Sequence, residues 1–267
     1  MCGISGVWAP NSTNSNALIN CIKAMSNAIE HRGPDSNGIW IDSSESIAFS
    51  HRRLSILDLS KAGHQPMHSC SKRYVISFNG EIYNHLSIRD TLAALNLIKS
   101  PWVGKSDTET LLAGFEAWGI EKTLRKATGM FALAVWDRKQ RKIILARDRF
   151  GEKPLYWGWI NSGLGKSFVF ASDLSAIRAM QGVNLTINKS SLSSYLSRSY
   201  IAAPSCIYKG LNQLPPAHLV EIDLSIDLDS SKNASKPKRW WEPTIFSVEE
   251  QFSNIPDQII IEMIEES

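Results

Sequence analysis

The sequence predicts an α+β fold, and three observations carry it. The strand-like segments are short and joined by polar turns, as antiparallel hairpins are. The helical patterns come in neighbouring pairs. The strict strand–helix–strand alternation of a parallel sheet is missing.

In chain order, residues 3–8 are small and apolar and read as a buried strand. Leu18, Ile19, Ile22, Met25 and Ile29 then recur at three- and four-residue spacing, which predicts a helix. Residues 14–16 can cap its start, and Gly33-Pro34 is expected to stop it. Strands are expected at residues 38–41 and 46–50. Another is expected where Tyr74, Ile76 and Phe78 alternate with Val75, Ser77 and Asn79. A helix over residues 85–97 precedes a second that begins at Ser106-Asp107-Thr108-Glu109, a Ser-x-x-Glu capping pattern. Its apolar face is Leu111, Leu112, Phe115 and Trp118, and Gly119 ends it. Residues 130–136 and 142–146 form one hairpin around the polar turn 137–140, and residues 155–160 and 168–171 form another. Helices are expected near residues 174–180 and 190–200. Residues 227–238 are rich in Ser, Asp and Lys and read as a loop or linker. Residues 257–266 read as an apolar-acidic helix that reaches Ser267 without a stop signal.

A chain of 267 residues, 43% hydrophobic and 21% charged, can bury a sizeable core as one large domain or two small ones. The net charge of +3 is scattered, and Lys236-Pro237-Lys238-Arg239 is its densest basic run. Neither a nucleic acid nor a membrane is therefore expected as a partner. No apolar run approaches the ~20 residues of a membrane span. The start lacks the basic flank and apolar stretch of a signal peptide, and Cys2, Cys21, Cys70 and Cys206 show no paired spacing. A cytoplasmic location is the expectation. No metal is expected, because Pro66 interrupts the helical spacing of His64 and His68. Gly165-Lys166-Ser167 lacks the earlier glycine of a phosphate loop and reads as a hairpin turn.

The chemistry starts at Cys2. Removal of Met1, which a small second residue permits, would place a thiol and a free α-amine on one residue. With a thiol pKa of ~8.5 and an amine pKa of ~7.7–8.0, the amine can take the thiol proton near neutrality. The thiolate is the nucleophilic form.

Cys2 does not stand alone. Met1-Cys2-Gly3-Ile4-Ser5-Gly6 is followed by His31-Arg32-Gly33-Pro34-Asp35, Arg53-Leu54-Ser55-Ile56 and Gln65-Pro66-Met67. Phe78-Asn79-Gly80-Glu81-Ile82-Tyr83-Asn84-His85, Ser106-Asp107-Thr108-Glu109 and a run from Ala146-Arg147-Asp148 to Gly151-Glu152-Lys153-Pro154-Leu155-Tyr156 come next. In this order, over about residues 1–220, they resemble the class II glutamine amidotransferases with an N-terminal nucleophile. Within that family they resemble the glutaminase half of glutamine-hydrolysing asparagine synthetases. The resemblance implies a four-layer αββα sandwich of two antiparallel sheets that brings the strand ends of Cys2 and Asn79 together.

The resemblance also implies roles. Cys2 would be the nucleophile, and Asn79 with the Gly80 backbone N–H would form the oxyanion hole. Arg53 would hold the α-carboxylate of glutamine, which a planar guanidinium suits. Glu81 and Asp107 would receive the α-ammonium, and Ile56 and Leu57 would line the pocket through their backbones. Taken singly, each has an ordinary reading. Arg53 follows His51 and Arg52 and could be surface charge, and Glu81 could be exposed charge. Asn79-Gly80 could be a hairpin turn, and Asp107 could merely complement a helix dipole. Their co-occurrence with Cys2 favours the family roles.

By the same resemblance, residues 1–222 form the glutaminase domain, and residues 223–267 a linker with the start of a synthetase domain. That second domain would use ATP and Mg to activate aspartate and would receive the ammonia. Its Ser-Gly-Gly-x-Asp-Ser loop is not found here, and Ser162-Gly163-Leu164-Gly165 does not match it. The chain is therefore expected to catalyse only the glutaminase half, without a cofactor. The rest would be lost to fragmentation or truncation, or supplied by another chain. A different acceptor, such as a sugar acid in polysaccharide synthesis, and a non-catalytic glutamine-binding remnant are the alternatives. Oligomeric state is not readable, and a homodimer stays open.

Overall fold

The computed structural model describes residues 2–12, 14–54, 60–226 and 236–243. The first strand, β1 (Gly3–Trp8), already implies the layering. Ile4 and Trp8 join one buried cluster, while Val7 belongs to another on the opposite face. Both faces of the strand are therefore covered, one by a second sheet and the other by helices.

The elements that follow are α1 (Ser15–Ala28), β2 (Ser36–Asp42), β3 (Ile47–Arg53), β4 (Met67–His68) and β5 (Tyr74–Ile82). Next come α2 (His85–Ala94), α3 (Asp107–Trp118), α4 (Ile120–Lys126), β6 (Gly129–Asp137) and β7 (Lys142–Arg147). The remainder are β8 (Tyr156–Ser162), β9 (Gly165–Ala171), α5 (Leu174–Arg178), α6 (Lys189–Arg198), β10 (Leu211–Gln213), β11 (His218–Asp223) and β12 (Lys238–Arg239). Among the described residues they form two six-stranded sheets, ordered β10-β8-β9-β1-β3-β2 and β12-β11-β7-β6-β5-β4. All pairings are antiparallel. A cluster including Phe49, Phe168, Phe170, Ala134, Trp136 and Val220 fills the space between the sheets. The outer face of the first sheet carries α1 and α5 over Ile22, Met25 and Ile177. The outer face of the second carries α2, α3 and α4 over Ile88, Leu111, Phe115 and Leu124. This is the expected four-layer α+β sandwich.

The helix starts follow their caps. Asn14 accepts a hydrogen bond from the Ala17 N–H, and Ser106 accepts one from the Glu109 N–H. The Glu109 carboxylate turns away from the reciprocal half of a capping box, because the Val103 and Gly104 N–H groups and Arg89 claim it. Helix α3 ends at Gly119, whose φ of +84° suits a residue without a Cβ. Helix α1 stops at Ala28, before the expected Gly33-Pro34, and a turn of 3-10 helix over Glu30–Arg32 fills the gap. Helix α2 stops three residues short of Leu97.

Asn79-Gly80 is no hairpin turn. It lies inside β5, paired with Ala132 and Phe131 of β6. A Cβ on Gly80 would stand 2.2 Å from the Met130 carbonyl oxygen, so only glycine fits this close approach of strands. Within the expected linker, Lys238–Arg239 pairs with β11, and Trp240 is fully buried in the second sheet's helix-side cluster. Residues 227–235 of that linker and the expected helix over 257–266 lie outside the described residues.

Candidate active site

A cavity of about 160 Å³ opens at one end of the sandwich, where β1 begins, β3 ends and β5 runs past its neighbour. Its walls include Cys2, Arg53, Asn79, Gly80, Glu81 and Asp107. The antiparallel register explains the convergence. Gly3 pairs with Arg52, so Cys2 and Arg53 leave adjacent strands at the same end. Ile56 and Leu57 lie outside the described residues.

Among the described residues, backbone atoms hold the Cys2 thiol. Its Sγ is 3.4 Å from the Leu54 nitrogen and 3.5 Å from the Leu54 carbonyl oxygen. Arg32, of the His-Arg-Gly-Pro-Asp segment, donates from Nε to the Cys2 carbonyl oxygen at 3.3 Å and so fixes the main chain on which the thiol sits. Burial pushes the thiol pKa up, opposed by the Leu54 N–H, the chain-terminal amine and the Arg53 charge.

Strand β5 is the other wall, and its two-residue alternation sorts its groups. The side chains of Val75 and Ser77 face the first sheet, Ser77 donating to the Ser50 carbonyl oxygen at 2.9 Å. Asn79 and Glu81 continue that face, toward Cys2. Phe131, opposite Gly80, spends its N–H on Asp148 Oδ2 and its carbonyl on the Asp148 N–H. Gly80 and Phe131 are thus a non-hydrogen-bonded pair, and the Gly80 N–H points to the other edge of β5. That edge is open here because β4 pairs only with Val75 and Ile76. The Asn79 side chain is 1% exposed, and no described residue accepts from its Nδ2. A buried amide donor without a partner is costly and rare. Asn79 and Gly80 both line the cavity and together carry two N–H donors at its wall, a pair suited to an oxyanion.

The acidic end lies at the start of α3. Asp107 accepts from the Ile82 N–H at 2.8 Å and is 6% exposed. Burial raises its pKa to about 6, with the neighbouring Glu81 charge adding to the rise against its backbone hydrogen bonds. A buried carboxyl group beside a second, partly exposed one favours a cationic guest. Arg53, which also lines the cavity, donates to the Ser60 carbonyl oxygen at 2.9 Å. The cavity therefore offers a nucleophile, two N–H donors, a guanidinium and a carboxylate pair. These complement an α-amino acid with a side-chain carbonyl.

Sequence reasoning missed His51, Gln65, Thr108 and Lys153, which also line the cavity. His51 is 1% exposed, and its Nε2 meets the Phe78 carbonyl oxygen at 3.0 Å. A carbonyl partner assigns the proton to Nε2. Burial lowers its pKa to about 3, so the ring is neutral. Lys153 is delivered by a loop wound around Asp148. This fully buried carboxylate accepts from the N–H groups of Phe131, Phe150, Glu152 and Lys153. Arg147 secures the same loop by donating to the carbonyls of Gly151, Lys153 and Leu214. The signal for this loop was present in the Arg-Asp-x-x-Gly-Glu-Lys-Pro run.

A family model described as a glutamine amidotransferase domain matches residues 1–241. A putative asparagine synthetase [glutamine-hydrolyzing] 2 of Methanocaldococcus jannaschii is 33% identical over 260 residues, which are 91% of this chain and 47% of the relative. Asparagine synthetase [glutamine-hydrolyzing] 1 of Bacillus subtilis is 36% identical over 217 residues, 81% of this chain and 32% of the relative. The chain thus spans half or less of the length of these relatives. Among solved structures, glutamine phosphoribosylpyrophosphate amidotransferase from B. subtilis superposes with a TM-score of 0.62 at 18% identity, covering 91% of this chain and 50% of that one. This likeness is one of fold.

Proposed function

The chain belongs to the glutamine amidotransferase domain family, and from that premise we propose that its cavity hydrolyses glutamine to glutamate and ammonia, with Cys2 as nucleophile. The observation that carries the proposal is the unpartnered, buried Asn79 amide beside the Gly80 N–H, in the cavity that holds the Cys2 thiol.

Glutamine enters with its α-carboxylate on Arg53 and its α-ammonium between Glu81 and Asp107. Ile56 and Leu57 would add backbone contacts. The α-amine freed by loss of Met1 takes the thiol proton. The Cys2 sulfur forms a bond to the side-chain amide carbon, and the oxygen gathers negative charge in front of Asn79 Nδ2 and the Gly80 N–H. As the tetrahedral species collapses the C–N bond breaks, and the ammonium form of the α-amine returns its proton to the leaving nitrogen. Water then adds to the γ-glutamyl thioester, the C–S bond breaks, and glutamate leaves with the thiol restored.

The ammonia acceptor is proposed from the relatives' names. It would be aspartate, amidated with ATP and Mg by a synthetase unit that a longer chain or a separate chain supplies. Among the described residues no group of three or more His, Cys, Asp and Glu side chains could hold a metal ion. Ser162 and Gly165 pair across the β8–β9 hairpin. The glutaminase half, as proposed, draws on the thiol, amine, amide and charged groups already named, and ATP and Mg belong to the acceptor unit. The sequence boundary at 222 cuts β11 and omits the buried Trp240, so we delimit that half as about residues 1–241, with the segment beyond leading toward the acceptor unit.

Ammonia release from glutamine by the purified chain, with loss of Met1 checked by mass in the same sample, tests the proposal. Activity that vanishes in Cys2→Ala is the expected result. Full activity in Cys2→Ala would overturn it.

A further inference from the structure

The open edge of β5 carries more than the Gly80 N–H. One turn of strand earlier, Phe78 has the same edge orientation, and two side chains from outside the strand take both of its backbone groups. Gln65 Oε1 accepts the Phe78 N–H at 2.7 Å, and His51 Nε2 donates to the Phe78 carbonyl oxygen at 3.0 Å. The other end of the Gln65 amide donates from Nε2 to Thr108 Oγ1 at 3.2 Å. Gln65 is 6% exposed and Thr108 2% exposed, so neither bond competes with bulk water. Thr108 follows Asp107 in the first turn of α3, and Phe78 precedes Asn79 and Gly80. A single side chain therefore ties the oxyanion wall of the cavity to its ammonium wall.

We propose that Gln65 is a positioning residue that fixes the spacing between the Asn79–Gly80 donors and Asp107, so that one glutamine can reach both. The inference rests on the glutaminase reading above. Among the described residues no strand pairs with the edge of β5 past Ile76, because β4 ends there. Hydrogen bonds from side chains take the ladder's place at Phe78 and, from Asp107, at Ile82. Gly80 sits between these two anchors, and its N–H is aimed by them. The Gln65 amide is the member that reaches both walls. It needs an acceptor at one end and a donor at the other, which a primary amide supplies in one planar group.

Three substitutions in the full chain separate this role from a structural one. Gln65→Met keeps the volume and loses both bonds. It is expected to lower kcat for glutamine at least about tenfold and to raise KM, because both transition-state donors and ground-state binding are displaced. Gln65→Glu keeps the acceptor for the Phe78 N–H and can bond Thr108 in either protonation state, so it is expected to bring kcat back to within about threefold of the parent. Thr108→Val frees only the α3 end, and is expected to raise KM while kcat stays within about twofold. Unchanged kcat and KM in Gln65→Met, or equal damage in Gln65→Met and Gln65→Glu, would overturn the proposal. Should Gln65→Met fail to fold, an unchanged KM in Thr108→Val overturns it instead. Backbone amide exchange gives a readout independent of turnover. Faster exchange at Phe78 in Gln65→Met than in the parent supports the brace, and identical exchange refutes it. Failure of the parent chain to release ammonia would instead sink the glutaminase reading.

Discussion

The Cys2 sulfur lies 3.4 Å from the backbone nitrogen of Leu54, the residue that follows Arg53. The proposed nucleophile and the proposed carboxylate-binding arginine are thus linked through one peptide unit. An N–H aimed at sulfur stabilises thiolate over thiol, and it offsets part of the burial that pushes the Cys2 pKa up. Among the described residues that line the cavity, Cys2 carries the one thiol. Cys2→Ser, which preserves shape and the Leu54 contact, is expected to lose at least about a thousandfold in kcat for ammonia release. Residual activity within tenfold of the parent would remove Cys2 from the mechanism.

Asn79 gives a sharper separation of binding from chemistry. Its Nδ2 has no acceptor among the described residues, so truncating it removes no hydrogen bond donated to them. Asn79→Ala is expected to cut kcat by about a hundred- to a thousandfold, equivalent to about 2.7–4 kcal/mol, with KM close to the parent. A matching rise in KM with kcat intact would assign Asn79 to substrate binding instead.

Much of this site was legible in the sequence because its residues sit in short contiguous motifs whose chemistry is local. Arg53 ends a strand, Asp107 opens a capped helix, and Asn79-Gly80 carries its own donors. Gln65 and His51 were not legible, because their roles depend on where β4 stops pairing with β5, and a two-residue strand leaves no periodic trace. The short β10 and β12 and the seven-residue α4 escaped for the same reason. Trp240 is buried by contact with Phe131 from far away in the chain, which no local pattern encodes. Asn79-Gly80 shows the converse, because the dipeptide most suggestive of a turn lies in a strand where Met130 leaves no room for a Cβ.

Asp107 must be ionised to receive an ammonium, yet burial has raised its pKa to about 6. In the free protein its charge is lost as pH falls through that value, so KM for glutamine is expected to rise below about pH 6. Asp107→Asn is expected to raise KM about tenfold or more at pH 7, the equivalent of one hydrogen bond to a charged group, about 1.5–3 kcal/mol. It should also abolish that acid limb. The stability sign is opposite. A carboxyl whose folded pKa exceeds its unfolded value of ~3.9 penalises the fold once ionised. Asp107→Asn should therefore melt at a higher temperature than the parent at pH 7. A lower melting temperature, or a KM independent of pH between 5 and 7 in the parent, would contradict this account.

Asp148 touches no proposed substrate, yet it satisfies four backbone N–H groups at the base of the Lys153 loop. Asp148→Ala would leave those donors without their partner in a site the carboxylate occupies at 0% exposure. The expected loss is several kcal/mol, on the order of 3–5, read as a shift in the urea midpoint with an unchanged slope. A shift below about 1 kcal/mol would mean that water replaces the carboxylate.

His51 makes a prediction about acid. Its ring is neutral because burial lowers its pKa to about 3, whereas an unfolded histidine titrates near ~6.5. Between those values the unfolded chain binds a proton that the folded chain refuses. The stabilisation is fully present above about pH 6.5 and is lost progressively as pH falls toward 3. Protonation would also place a cation against Arg53 and His64, the charges that already oppose it. Asp107 works the other way, because its protonation near pH 6 relieves a buried charge, so the two groups partly cancel between about pH 6 and 4. The two are separable by substitution. His51→Gln retains a donor for the Phe78 carbonyl and has nothing to titrate, so its melting temperature should fall less steeply than the parent's between pH 6.5 and 4. Parallel acid limbs for the two proteins would mean that His51 is protonated in the folded state, and the neutral donor to Phe78 would have to be abandoned.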